Sequence, residues 1–250
     1  MGRAAAVLTP GRRIGLFAAL GALVGTYYAW SNSLWNASTW WDVAWISLAL
    51  VPAVFAFVYL ALPLRTWRWA LPVGLVLVLV TWGLEEAGLD AVANFAKLAA
   101  ATLLGFWFIR LFETIGLVVF VACLIPWIDA YSVWRGPTSN IVSNHPHVFT
   151  SVSFSLPIPG ENDAARLGPS DLLFSALFLA AADRFGLRVF WTWLALALSF
   201  GVTLTLAVGA DINGLPALPG LSIAFLAVNI DLLWPTFRRG WATVAGRTPP

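Results

Sequence analysis

Apolar runs of roughly 20 residues recur from one end of this chain to the other, parted by short polar connections. They predict eight helices, over about 14–30, 43–63, 67–84, 91–109, 113–134, 167–185, 188–208 and 215–235. Short connections favour antiparallel neighbours, so the expected fold is all-α, an up-and-down bundle in a lipid bilayer. One connection, 135–166, is long and polar and holds Pro137, Pro146, Pro157, Pro159 and Gly160. Inside it Val148, Thr150, Val152, Phe154 and Leu156 fall on one face of an alternating stretch, which is a strand pattern. No partner strand is evident, so the segment is expected to offer an edge on which an extended peptide can pair.

Composition excludes a water-soluble globular chain: 60% of the 250 residues are hydrophobic, 10% are charged, and mean hydropathy is +0.83. The reading is one membrane-embedded domain over 1–250, with 1–110 as helical scaffold and 111–250 carrying the chemistry. A single cysteine, Cys123, rules out an intrachain disulfide and any cysteine-based metal cluster. No basic run points to nucleic acid, and nothing calls for a cofactor. His145 and His147 stand in a proline-rich loop without further ligands, so no metal site is expected. Arg12 and Arg13 precede an apolar run as in a signal peptide. No small-residue cleavage site follows Gly25–Trp30, which predicts a retained first helix.

Positive charge sets the orientation. With a cytoplasmic N-terminus, Arg3, Arg12, Arg13, Arg65, Arg68, Arg110, Arg184, Arg188, Arg238, Arg239 and Arg247 share the inner side, against Arg135 and Arg166 outside. That bias places both termini in the cytoplasm. Arginine outnumbers lysine so heavily that a prokaryotic plasma membrane is expected. Lys97 should snorkel from its helix toward Asp90 or Glu86, Asp183 should pair with Arg184, and Asp231 should meet Arg238, Arg239 or headgroups. Trp40, Trp41, Trp67, Trp69, Trp191 and Trp234 fit an interfacial aromatic belt.

Two acids lie where acids are costly. Asp171, in Arg166-Leu-Gly-Pro-Ser-Asp-Leu-Leu-Phe-Ser-Ala-Leu177, sits one turn into an apolar segment. Asp129, in Ile125-Pro-Trp-Ile-Asp-Ala-Tyr-Ser-Val-Trp134, sits near the end of another. A carboxylate within hydrocarbon costs about 2.5–3.5 kcal/mol, so each needs a purpose. Counting along antiparallel helices puts both about 6–8 Å below the outer face. The stretch Gly214-Leu-Pro-Ala-Leu-Pro-Gly220 opens the last helix at the same level. Two carboxyls at one depth can share a proton, one acting as base on a water and the other as acid. The plainer alternative is structural. Gly-Pro-Ser-Asp is a good helix start, so Asp171 can serve as a cap, whereas Asp129 lies inside an apolar run and cannot cap a helix start, which leaves pairing with an Arg or with a polar group on another helix.

Taken in order, the three stretches resemble presenilin and signal peptide peptidase, the intramembrane aspartyl proteases. Gly168-Pro-Ser-Asp171 is similar to their Gly-x-Gly-Asp helix, Asp129 with Arg135-Gly136-Pro137 resembles their other aspartate helix, and Gly214–Gly220 resembles their Pro-Ala-Leu helix. The resemblance covers about 113–235 and implies peptide-bond hydrolysis in a membrane-embedded substrate by Asp129 and Asp171. It implies that Gly168, Ser170, Pro216, Ala217 and Leu218 help to bind substrate, and that the strand segment holds an unwound peptide. The partners implied are the bilayer and a transmembrane protein, favoured in type II orientation because the loop between the aspartates lies outside. Ser170 stands where the family has glycine, Ile128 where it usually has tyrosine, and eight helices replace the usual nine. Two other functions remain open: a non-catalytic relative that binds or escorts membrane proteins, and a proton-coupled carrier.

Overall fold

The computed structural model describes residues 9–136, 151–212 and 215–244, with side chains as far as Pro235. Each of the eight predicted helices is there. Helix α1 spans Pro10–Trp30, and α2, Thr39–Trp45, passes through a π-helical stretch, Ile46–Leu50, into α3, Val51–Ala61. The wide turn falls just before Pro52, which lacks an N–H and crowds the carbonyl four residues back. Helices α4 (Ala70–Glu86), α5 (Asp90–Phe108) and α6 (Ile115–Arg135) follow. Beyond the polar loop come α7 (Pro169–Arg184), α8 (Val189–Gly209) and α9 (Leu218–Val244). Six helical stretches are long and apolar enough to cross a membrane: Pro10–Ser33, Thr39–Thr66, Asp90–Leu111, Ile115–Arg135, Val189–Gly209 and Leu218–Pro235. Helices α4 and α7 are shorter, at 17 and 16 residues.

Helix α7 is the hub. Leu172 and every residue from Ser175 to Ala182 are buried, because α5, α8, α9 and α3 enclose it. Alanine and glycine permit the close approach. A Cβ on Gly105 of α5 would lie 2.5 Å from the Leu173 carbonyl oxygen and 2.8 Å from the Ala176 Cβ. Phe178 of α7 stacks on Phe225 of α9, with ring centroids 4.7 Å apart. The outside is the reverse: Leu75, Val76, Val78, Leu79 and Val80 of α4 are exposed, an apolar face that water would not tolerate but lipid would. The six tryptophans expected in the belt are all exposed as well.

The strand segment departs from expectation in length and in partnership. Strand β1 is Phe154–Pro157, and Ser151 and Val152 before it are helical; Val148 and Thr150 lie outside the described residues. It has a partner, β2 (Ala164–Leu167), antiparallel, with Phe154 opposite Leu167 and Pro157 opposite Ala164. Strand β2 went unread because Ala164-Ala-Arg-Leu167 is too short and too weakly alternating to show a period.

Charge pairing also differs. Lys97 pairs with Glu85 at 2.6 Å and donates to the Ser153 carbonyl at 3.0 Å, rather than reaching for Asp90 or Glu86. Asp183 pairs with Arg65, while Arg184 donates to the Ile109 carbonyl. Asp231 pairs with Arg188 at 2.6 Å. In each case the partner comes from another helix, brought near by packing that sequence distance does not reveal. Arg110 in turn donates to the carbonyls of Arg65 and Trp67, so residues assigned to the basic side do gather at one end of the bundle.

Candidate active site

Strand β2 runs straight into α7 through Gly168, the residue that caps the helix. Pro169 takes the first helical position, where its missing N–H costs nothing, and Asp171 the third. The Asp171 carboxylate turns back and accepts the Gly168 N–H at 3.1 Å, while the Asp171 N–H donates to the Gly168 carbonyl at 3.1 Å. The capping role open to Asp171 on sequence grounds is therefore real. Gly168 keeps the turn tight: a Cβ there would stand 3.1 Å from the carboxylate oxygen. Ser170 and Pro169 are exposed.

Asp129 lies three residues past Pro126, in the C-terminal part of α6. Its Oδ2 accepts the backbone N–H of Leu218 at 3.1 Å. The Pro-Ala-Leu stretch was expected within the last helix, but Pro216 and Ala217 precede it, and α9 begins at Leu218 with Leu221 N–H donating to Ala217 O. The first N–H groups of a helix have no partner inside it, and Leu218 carries one of these. A carboxylate from another helix satisfies it and meets the favourable end of the helix dipole. Asp129 thus caps a helix after all, though not its own.

Two helix starts converge here, each with one carboxylate, because α6, α7 and α9 pack against one another. Ala217 and Leu218 are buried and Pro216 half-buried beside them. One turn deeper, Ser175 of α7 and Ser222 of α9 are buried with their hydroxyls unpaired among the described residues. The structure therefore brings Asp129, Asp171, Gly168, Ala217 and Leu218 into one place, with Ser170 at its surface.

Two spaces flank this place. A polar cavity of about 690 Å3 is lined by Tyr28, Glu85, Asn94, Lys97, Ser155 and Arg166, among others. An apolar groove of about 410 Å3 runs between α4, α5 and the start of α7, and reaches Pro169 and Leu173. They share Trp82, Glu85, Lys97 and Ser151, so a polar space and an oily one adjoin, and the oily one ends beside the start of α7. Among the described residues no group of three or more His, Cys, Asp or Glu is placed to hold a metal ion, and His145 and His147 lie outside them.

Sequence reading missed the residues that hold the hairpin: Tyr27, Tyr28 and Asn94, with Lys97 in a role other than the one expected. A signal existed. Asn94 and Lys97, three residues apart, form one polar face of an otherwise apolar helix, which calls for a partner within the protein. No family model matches the chain, and no curated protein or solved structure matches it either.

Proposed function

We propose that the chain is an intramembrane aspartyl endopeptidase that hydrolyses peptide bonds in transmembrane segments or signal peptides, with Asp129 and Asp171 as its dyad. One observation carries the reading: the Asp129 carboxylate holds Leu218 of the Pro-Ala-Leu stretch, where α6 and α9 both pack on the helix that opens with Asp171. Asp129 and Leu218, 89 positions apart, meet as the presenilin-like motifs imply. Adjacent carboxyls share a proton, so the ionised one takes a proton from water as it attacks the peptide carbonyl. The protonated one gives its proton to the carbonyl oxygen, and later a proton passes to the leaving amine. The apolar groove suits an apolar peptide, and the polar cavity beside it suits water. Within this proposal all eight helices cross the bilayer of a prokaryotic plasma membrane, α4 and α7 as short spans, with both termini cytoplasmic and type II substrates favoured.

One observation favours a second reading: each carboxylate already satisfies a helix start. A protein that kept the architecture without catalysis, to bind or escort membrane proteins, would need no more. Cleavage of a single-span type II reporter in liposomes separates the two. Wild type should cut it, and Asp129→Ala and Asp171→Ala should each lower the rate at least 1000-fold while remaining folded. Absence of wild-type cleavage on this reporter and on one of reversed orientation leaves the binding reading in its place.

A further inference from the structure

Strand β1 has two edges. One faces β2, and Ile158 N–H donating to Asp163 O at 3.1 Å fixes which residues point each way. Alternation then turns the N–H and C=O of Ser155 and the C=O of Pro157 away from β2. The alternating pattern alone predicts an open edge here, but side chains occupy it. The Asn94 carboxamide accepts the Ser155 N–H at 2.8 Å and donates to the Ser155 carbonyl at 2.7 Å, the two bonds that a neighbouring strand would make. Tyr28 donates to the same carbonyl and receives a second Asn94 N–H at 3.0 Å. Tyr27 donates to the Pro157 carbonyl at 2.6 Å, and Lys97, steadied by Glu85, holds the Ser153 carbonyl. Asn94 is 3% exposed and Ser153 is fully buried, so the clamp sits in the wall of the polar cavity with little of its own surface open to it.

Downstream of this edge the chain has little slack. Phe154, locked at one end of β1, pairs with Leu167, itself buried, and the next residue is Gly168, whose N–H binds Asp171. We infer that Asn94, with Tyr28, acts as a surrogate strand that fixes the hairpin and through it the position of the Asp171 carboxylate. Asn94 is on this account a positioning residue, and the scaffold half of the chain contributes directly to the site. The amide is the right group because it alone offers a donor and an acceptor in the spacing of a backbone.

The test uses the full-length protein in detergent micelles or liposomes, with Asn94→Leu, Asn94→Asp and Tyr28→Phe. Amide hydrogen exchange at Ser155, Gly168 and Asp171 should speed up at least tenfold in Asn94→Leu, and less in Tyr28→Phe, which loses one hydroxyl. This arm needs no catalysis. The kinetic arm rests on the protease reading: kcat should fall at least tenfold in Asn94→Leu with KM within about twofold. Asn94→Asp keeps the acceptor for Ser155 N–H, loses the donor, and should fall between. Faster exchange confined to Ser155, with Gly168 and Asp171 unchanged, overturns the inference, and so does an unchanged kcat alongside faster exchange at all three. If Asn94→Leu does not fold, Tyr28→Phe decides by the same criteria. If wild type cleaves nothing, the protease reading fails alone and exchange still decides the clamp.

Discussion

A buried lysine is a liability until its charge is met. Lys97 and Glu85 have side chains only 11% and 19% exposed, and Lys97 also holds a hairpin carbonyl. Removing one partner leaves the other charge in a poor solvent, so Lys97→Met should cost about 2–4 kcal/mol, less than a fully buried pair because some water remains. Replacing both, Lys97→Met with Glu85→Met, should recover most of that loss, leaving the deficit of Ser153 O without its donor. Thermal unfolding in a mild detergent measures both. The same residue marks the limit of reading one dimension. Asp129 and Asp171 stood out because acids in apolar runs are rare and costly. Their partners, Leu218 and Gly168, were visible as motif residues. The partners of Lys97, Asp183 and Asp231 were not, since several acids or bases lay within reach along the sequence and only packing chose among them.

Helices were legible because an apolar run of that length has few other ways to satisfy its backbone. What escaped was the manner of their beginnings and joints: the π-helical stretch ahead of Pro52, the extended lead-in at Pro216 and Ala217, and β2. These depend on two to four residues, too few to carry a period. Glycines show how closely the elements meet. An added Cβ at Gly105 runs into backbone of α7, at 2.5 Å from Leu173 O, whereas at Gly220 it meets the Ser199 hydroxyl at 2.6 Å. Backbone cannot step aside and a hydroxyl can rotate. Gly105→Ala should therefore destabilise by about 1–3 kcal/mol and Gly220→Ala by much less, measured in the same unfolding assay.

Across the whole molecule, the basic end around Arg65, Arg110 and Arg184 lies opposite the end holding Tyr28, Asn94 and the hairpin. Labelling with a membrane-impermeant thiol reagent tests the orientation. In intact cells, with Cys123→Ser as background, Glu161→Cys should react and Arg12→Cys should react only after the membrane is opened. The reverse pattern would place the aspartates near the cytoplasmic face. Helix α7, at the centre, adds a consequence for how the protein is made. At 1.5 Å per residue its 16 residues reach about 24 Å, short of the roughly 30 Å of a bilayer core, and it carries acids at both ends. Its surroundings in the finished protein are other helices rather than lipid. Such a segment has little reason to leave the insertion machinery for lipid by itself. It should enter together with α8, whose largely apolar 21-residue length can draw it across as half of a hairpin. A nascent chain ended at Leu187 should leave α7 outside the bilayer, and one ended at Asp211 should bring it in, as read by glycosylation tags. The segment bearing Asp171 would then be the one whose membrane insertion waits for residues not yet synthesised when it emerges.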